Sequence, residues 1–380
     1  VEAVNSSKTD PSSESSNGTS ETEPIITPLL DGASPDLPTD SLLLNQQYRI
    51  ASDPDHDLEE RLEAFEDVID SEVGDTSLVR SRNIEREVGF RQLYLKFEGG
   101  NPSGTQKDRI ACAQAMDALR RGFDGITVAT CGNYGVAVAL AASIVGLKCV
   151  AHIPEGYRSR RIRELENLRA QIIRVVGDYE RAVDCSREFA EKQEFYDANP
   201  GGLNTALQLR AYGEIAYEIY DELRDAPKAV AVPVSNGTTL AGIYRGFLSL
   251  YRRGKTSRIP WMIAGSASGK NPIVHSFLKN HSSCIDLVPA KIRETDINEP
   301  LINWHSADGD HALDAIRTTQ GWAGNVSDRL MRRYSKLIRE KEGLNVLPAS
   351  TAGLVALIDY HQKDPLEGDR YVAILTGRKE

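Results

Sequence analysis

Lys107 is the residue with the most chemical promise. It lies in the run Lys96-Phe97-Glu98-Gly99-Gly100-Asn101-Pro102-Ser103-Gly104-Thr105-Gln106-Lys107-Asp108-Arg109. An apolar stretch, Leu93-Tyr94-Leu95, leads into this segment, and a helical pattern over residues 110–119 leaves it. That order places Lys107 at a strand-to-helix turn, near the first turn of a helix. The positive end of the helix dipole disfavours an ammonium there. A lysine so placed is a candidate for a lowered pKa and for Schiff-base chemistry with a carbonyl compound. A solvated surface lysine is the bland alternative, and the loops downstream decide between the two.

Three further strand ends carry ligand-friendly residues. After the apolar run 125–129 come Thr130, Cys131, Gly132, Asn133, Tyr134 and Gly135, then an Ala-rich helical stretch. Small residues let backbone approach a ligand, a helix N-terminus offers N–H groups to a carboxylate, and Asn133 adds a side-chain donor. A plain helix cap explains this pattern about as well. After the run 229–234 come Ser235, Asn236, Gly237, Thr238 and Thr239. This is a small, hydroxyl-bearing anion cradle suited to one phosphate monoester. It lacks both the nucleoside-triphosphate loop and the Gly-x-Gly-x-x-Gly of dinucleotide folds. The last apolar run ends in Thr376-Gly377, which alone could either meet a ligand edge or simply finish a strand.

These loops need an alternating scaffold. Strand-like runs fall at 93–97, 125–129, 148–153, 171–176, 229–234, 261–265 and 371–375. Helical patterns fall at 109–121, 134–145, 158–169, 179–192, 207–223, 239–252, 327–342 and 351–361. The strands are continuous apolar runs, as expected of a parallel sheet covered by helices on both faces. The reading is an α/β protein with ligand sites at the carboxyl ends of its strands.

Charge is unevenly spread. The formal net charge is -10, yet residues 1–60 hold 13 acids against two bases, leaving the other 320 residues with 42 acids and 43 bases. Residues 1–45 are rich in Ser, Thr, Pro and acids and read as a disordered tail; they have neither the apolar core of a signal peptide nor the arginines of a transit peptide. Leucines 42–44 could still dock on the body. The near-neutral body shows no basic stripe, which argues against nucleic acid, and no apolar run is long enough for a membrane span. The five cysteines, Cys112, Cys131, Cys149, Cys185 and Cys284, form no Cys-x-x-Cys pair. That suits a reducing, cytoplasmic setting and argues against a metal site. Arg158, Arg160, Arg161 and Arg163, interleaved with Glu164 and Glu166, read as a solvated helix face. Tyr212, Tyr217 and Tyr220 have helical spacing and read as core.

In order and spacing, these features resemble the fold-type II pyridoxal-phosphate enzymes of the tryptophan synthase beta-like superfamily, and most of all their threonine synthase branch. The similarity runs from Gly74-Asp75-Thr76-Ser77-Leu78 to the C-terminus. It rests on the segments 101–109, 130–133, 233–246 and 376–377, with 298–304 and 342–353 in support. The resemblance implies two domains, each with a mostly parallel sheet flanked by helices. A large domain would take residues 71–107 and 201–380, a small mobile domain 108–200, and a helical lead-in 46–70. It implies that Lys107 carries pyridoxal 5'-phosphate as an internal aldimine and serves as the base at Cα. Asn133 would meet the ring hydroxyl, Thr376 the pyridine nitrogen, and Ser235, Asn236, Gly237, Thr238 and Thr239 the phosphate. Thr130, Cys131, Gly132 and Asn204 would bind the amino-acid substrate. A neutral hydroxyl at the ring nitrogen suits elimination and replacement at Cβ or Cγ, so the implied activity is that of a lyase or synthase.

The match departs from the branch at one place. Threonine synthases carry a Ser and an Arg that help bind the phosphate of O-phosphohomoserine; here they fall on Gly202 and Leu207. Leucine cannot neutralise a phosphate dianion. Arg210, one helical turn on, or Lys270 could substitute. Gln106 stands where an aromatic is usual. The alternatives are a related enzyme of a phosphate-free amino acid, such as the catalytic subunit of a 2-amino-4-oxopentanoate thiolase with a small partner subunit, a dehydratase, or a cysteate- or cysteine-type synthase. A non-catalytic pseudoenzyme would not need Lys107, Asn133 and Thr376. A homodimer is implied by resemblance alone.

Overall fold

The computed structural model describes residues 39–130, 132–158, 161–367 and 369–379. Ten strands form in chain order: β1 (Leu78–Arg80), β2 (Leu93–Phe97), β3 (Gly125–Ala129), β4 (Lys148–Pro154), β5 (Gln171–Val175), β6 (Tyr196–Asp197), β7 (Ala229–Pro233), β8 (Trp261–Ala267), β9 (Trp322–Val326) and β10 (Tyr371–Leu375). The helices are α1 (Thr39–Ser52), α2 (Leu58–Glu72), α3 (Arg82–Val88), α4 (Lys107–Arg120), α5 (Asn133–Ile144), α6 (Arg161–Asn167), α7 (Tyr179–Gln193), α8 (Thr205–Leu223), α9 (Thr238–Arg252), α10 (Pro272–Leu278), α11 (Gly309–Thr318), α12 (Asp328–Glu342) and α13 (Ala352–Lys363).

The strands make two sheets. One has the order β1-β2-β10-β7-β8-β9, parallel except for the antiparallel β1; the other is the parallel set β5-β4-β3-β6. Every residue of β3, β7 and β10 is buried, as continuous apolar strands between helical layers must be. The register decides where the loops go. β10 lies between β2 and β7, with Tyr371 opposite both Leu93 and Ala229 and Leu375 opposite Phe97. The carboxyl ends of these three strands therefore face one edge, and the turns bearing Lys107, Thr376 and Ser235 leave from it.

Helix starts follow their caps. Asp57, Asp178 and Ser327 accept N–H groups in the first turns of α2, α7 and α12, and Asn271 does so for α10 with Pro272 behind it. The pair α8 and α9 packs through glycine: a Cβ on Gly246 would stand 2.4 Å from the Gly213 carbonyl oxygen. Backbone contact at this crossing fixes the start of α9 against α8.

Several sequence expectations are corrected. Helix α1 begins at Thr39, inside the segment expected to lack structure to residue 45, and Leu44 packs against the core. Residues 1–38, and with them most of the acidic tail, lie outside the described residues. The pattern also missed β1, β6, β9, α3, α10 and α11, all short or interrupted. Arg160 is outside the described residues, but Arg161 turns inward and donates through Nη2 to the Ser103 carbonyl at 2.9 Å.

Candidate active site

Lys107 is the first residue of α4, part-buried, with Nζ 5.4 Å from the ring centre of Tyr134 and 6.0 Å from that of Tyr212. Burial pushes its ammonium down to about 8, and the Asp308 carboxylate opposes the shift. The helix-start argument had the direction right; the physical cause is desolvation by burial. Tyr212 is buried in the core, as its helical spacing with Tyr217 and Tyr220 indicates, and its ring also walls the Lys107 site.

The turn that holds Lys107 is heavily braced. Thr105 Oγ1 accepts the Lys107 N–H at 3.2 Å, and Asp108 accepts the Ser103 N–H at 2.9 Å. Burial lifts the Asp108 carboxyl to about 6, with the Ser103 bonds pulling the other way. Beneath the turn lies a four-charge cluster. Arg109 Nε meets Glu98 Oε2 at 2.7 Å, Arg109 Nη1 meets Glu218 Oε1 at 2.6 Å, and Lys96 Nζ completes the set on Glu218 Oε2. Two cations and two anions balance, and Thr76 and Asn101 take part as well, donating to Glu98. Gln106 donates its N–H to the Thr376 carbonyl at 3.0 Å, and Arg378 donates to the Gly104 carbonyl at 2.8 Å, so the last strand is tied to the lysine turn.

The other expected loops fall as follows. Gly237 precedes α9 with φ 94°, and no side chain caps that helix, so the N–H groups of Thr238, Thr239 and Leu240 point out of its first turn. A Cβ on Gly237 would lie 2.8 Å from Ala312 Cβ and 2.9 Å from the Asp308 carbonyl oxygen. Asn236 Oδ1 takes a donor from Asn303, and the Ser235 carbonyl takes donors from Asn271 and Ser306, which shape the loop from behind. Thr376 Oγ1 lies 3.1 Å from Ser350 Oγ at the end of β10. Asn133 opens α5 directly after Gly132, while Thr130 Oγ1 accepts the N–H groups of Gly132 and Gly135 and so builds that loop. Cys131 lies outside the described residues.

Asn204, just before α8, belongs to a buried amide network. Gln114 Nε2 donates to the Ile110 carbonyl and to Tyr134 Oη, so Gln114 Oε1 faces the Asn204 and Gln208 amides and accepts from both. The oxygens Asn204 Oδ1 and Gln208 Oε1 then find no donor among the described residues. Arg210 is exposed and Lys270 Nζ donates to the Arg293 carbonyl, so neither is drawn into this cluster. Two residues that sequence reasoning missed stand out. Ser350 is buried against Thr376. Asp308 is buried against both Lys107 and Thr238, and its position in a nondescript Ala-Asp-Gly turn gave no signal.

The model of a family described as pyridoxal-phosphate dependent enzyme matches residues 69–377. The chain belongs to this family. It is 32% identical over 307 residues to the threonine synthase of Methanocaldococcus jannaschii, covering 80% of this chain and 74% of that protein. It is 28% identical over 306 residues to the threonine synthase of Bacillus sp. strain ULM1, covering 80% and 82%. Among solved structures, a maize serine racemase superposes with a TM-score of 0.70 at 20% identity, over 84% of this chain and 94% of that one. A serine racemase from Dictyostelium discoideum gives 0.67 at 18%, over 84% and 97%. The protein is a threonine synthase-like, pyridoxal-phosphate-dependent lyase of fold type II. The residues present fit the cofactor: a lysine held near neutrality by burial, an uncapped helix start behind a glycine whose Cβ has no room, and a hydroxyl pair at the end of the last strand. Among the described residues no helix is long and apolar enough to cross a membrane.

Proposed function

We propose that this enzyme eliminates or replaces a group at Cβ or Cγ of a free amino acid that carries no phosphate, with Lys107 as the base. Bound pyridoxal phosphate supplies an electron sink for negative charge at Cα. The chain's own residues do the rest. The Lys107 amine, neutral for part of its population near physiological pH, takes the Cα proton and can return it. Tyr134 and Tyr212 exclude water from around that nitrogen. Asn133 orients the ring hydroxyl, and Ser235, Asn236, Gly237, Thr238 and Thr239 hold the phosphate with backbone N–H groups and hydroxyls. Thr376, steadied by Ser350, faces the pyridine nitrogen with a neutral hydroxyl. The substrate carboxylate would take the backbone of residues 130–132, with Cys131 among them.

The observation that favours a phosphate-free substrate is the amide cluster on α8. Where a phosphate-binding Ser and Arg would be needed, the chain has Gly202 and Leu207, Arg210 is exposed, and the buried oxygens of Asn204 and Gln208 are acceptors without donors. A phosphate dianion placed against those oxygens would meet acceptors, a burial that costs free energy. By resemblance the assembly is a cytoplasmic homodimer, with a small partner subunit if the reaction is a thiolase. The two separate sheets support a division into a body of residues 71–107 and 201–380 and a closing unit of residues 108–200.

The test is a substrate panel on purified holoenzyme. A visible cofactor band that is lost in Lys107→Ala, spectral change with phosphate-free amino acids (2-amino-4-oxopentanoate among the first), and no phosphate release from O-phosphohomoserine are the expected results. Stoichiometric phosphate and threonine from O-phosphohomoserine would overturn the phosphate-free assignment.

A further inference from the structure

The Asp308 carboxyl is 3% exposed in the turn before α11. Its Oδ2 lies 2.5 Å from Thr238 Oγ1, the first hydroxyl of α9, and its Oδ1 lies 3.5 Å from Thr205 Oγ1 of α8. Its own N–H donates to the Asn236 carbonyl at 3.0 Å, which locks the turn onto the cradle loop. Two cationic or ionisable groups face it: Lys107 from α4 and His311 from α11. An acid therefore sits against a helix start that no side chain caps.

Hydrogen-bond direction gives this contact its meaning. A hydroxyl has one proton to donate. With Asp308 ionised, Thr238 must spend that proton on the carboxylate and can show only lone pairs to an anion. With Asp308 protonated, the acid donates to Thr238 Oγ1, and the threonine proton is free to turn outward. The two states need no movement of heavy atoms.

We propose that Asp308 is a positioning residue for the cofactor phosphate: as a neutral acid it donates to Thr238, which passes its own proton to a phosphate oxygen, so that phosphate binding takes up a proton. This rests on the reading that residues 235–239 hold the phosphate. Burial supports it, since it already holds this carboxyl above the usual carboxylate range, against Thr238, His311, Thr205 and Lys107, all of which favour the ionised form. A phosphate dianion nearby pushes in the same direction as burial.

The test uses pyridoxine 5'-phosphate, which has no aldehyde for Lys107 to attack, titrated into cofactor-stripped full-length enzyme by calorimetry from pH 7 to 9. Working in the Lys107→Ala and the His311→Gln backgrounds removes the other two ionisable neighbours in turn. Binding is expected to weaken with rising pH, approaching about tenfold per pH unit for one linked proton, and runs in two buffers of different ionisation enthalpy should read the uptake directly. Asp308→Asn, whose amide donates to Thr238 at every pH, should bind with no such slope. A slope shared by the wild type and Asp308→Asn, or no proton uptake in the wild type, would overturn the proposal while leaving the cradle intact. If pyridoxine binds as well as its phosphate, the cradle reading itself fails, and the proposal with it.

Discussion

Replacing Glu218 by Gln should cost the apoenzyme about 3 kcal/mol. Glu218 bridges Arg109 and Lys96 with a side chain that is only 14% exposed. Burial raises its pKa, but the bonds and charges of Arg109 and Lys96 outweigh it and bring the carboxylate from its ordinary 4.5 down to about 2. A drop of that size corresponds to about 3 kcal/mol favouring the folded state. The general cost of removing one partner from a buried ion pair, roughly 3–5 kcal/mol, agrees with it. The sign follows from a depressed carboxylate pKa. The contribution is complete above the unfolded value near 4.5 and is lost as pH falls toward about 2. Urea unfolding of the cofactor-free proteins should therefore give a constant gap between wild type and Glu218→Gln from pH 6 to 9, shrinking to about half by pH 3. Cofactor must be absent, because a ligand that binds only the folded state adds its own stabilisation. Because Arg109 stands two residues beyond Lys107 on the first turn of α4, the variant should also bind pyridoxal phosphate more weakly. A gap below about 1 kcal/mol at pH 7 would refute the view that this cluster anchors the lysine turn.

Four further outcomes are expected. The Lys107 amine of the apoenzyme should react with an acylating reagent with a midpoint at about 8, neutral and reactive above it; a midpoint near that of an ordinary lysine would refute the desolvated setting. Removing the opposing charge in Asp308→Asn should move that midpoint lower still. Gly237→Ala forces a Cβ to 2.8 Å from Ala312 Cβ at a φ of 94°, so it should lower thermal stability by about 1–3 kcal/mol and reduce cofactor retention; unchanged melting and unchanged cofactor titration would refute the tight cradle. Ser350→Ala removes the partner 3.1 Å from Thr376 Oγ1 and should shift the cofactor's visible absorbance while costing about 1 kcal/mol. Superimposable spectra would mean that Ser350 does not steady Thr376.

What could be read in the chain and what could not divide along a physical line. Central strands such as β3, β7 and β10 are buried on both faces, so they appear as uninterrupted apolar runs, and their ends match the sequence reading within a residue or so. The two-residue β6 and the antiparallel edge strand β1 are too short to carry a period. Lys107 at a helix start, residues 235–239 between β7 and α9, and Thr376 after β10 stand in the chain where the sequence reading put them, because each lies in a loop that follows a recognisable strand. Tyr212 was read as core and is fully buried there; the spacing of a helix states which residues share a face but not that this ring also meets Lys107. Arg161 was misread because its neighbours on α6 are solvated, yet the guanidinium reaches the Ser103 carbonyl.

Asp308 is the instructive miss. Its effect depends on three elements far apart in sequence, α4, α8 and α9, converging on one carboxyl through Lys107, Thr205 and Thr238. No local pattern can encode that convergence. The sheet register can: once β10 is seated between β2 and β7, the loops after β2 and β7 must meet. The turn that begins α11 is then held over them by the Asp308 N–H bond to the Asn236 carbonyl. The lysine and the cradle state which chemistry the chain supports. The acid packed against both sets the protonation state in which the site is complete, and it is the group through which pH should reach cofactor affinity.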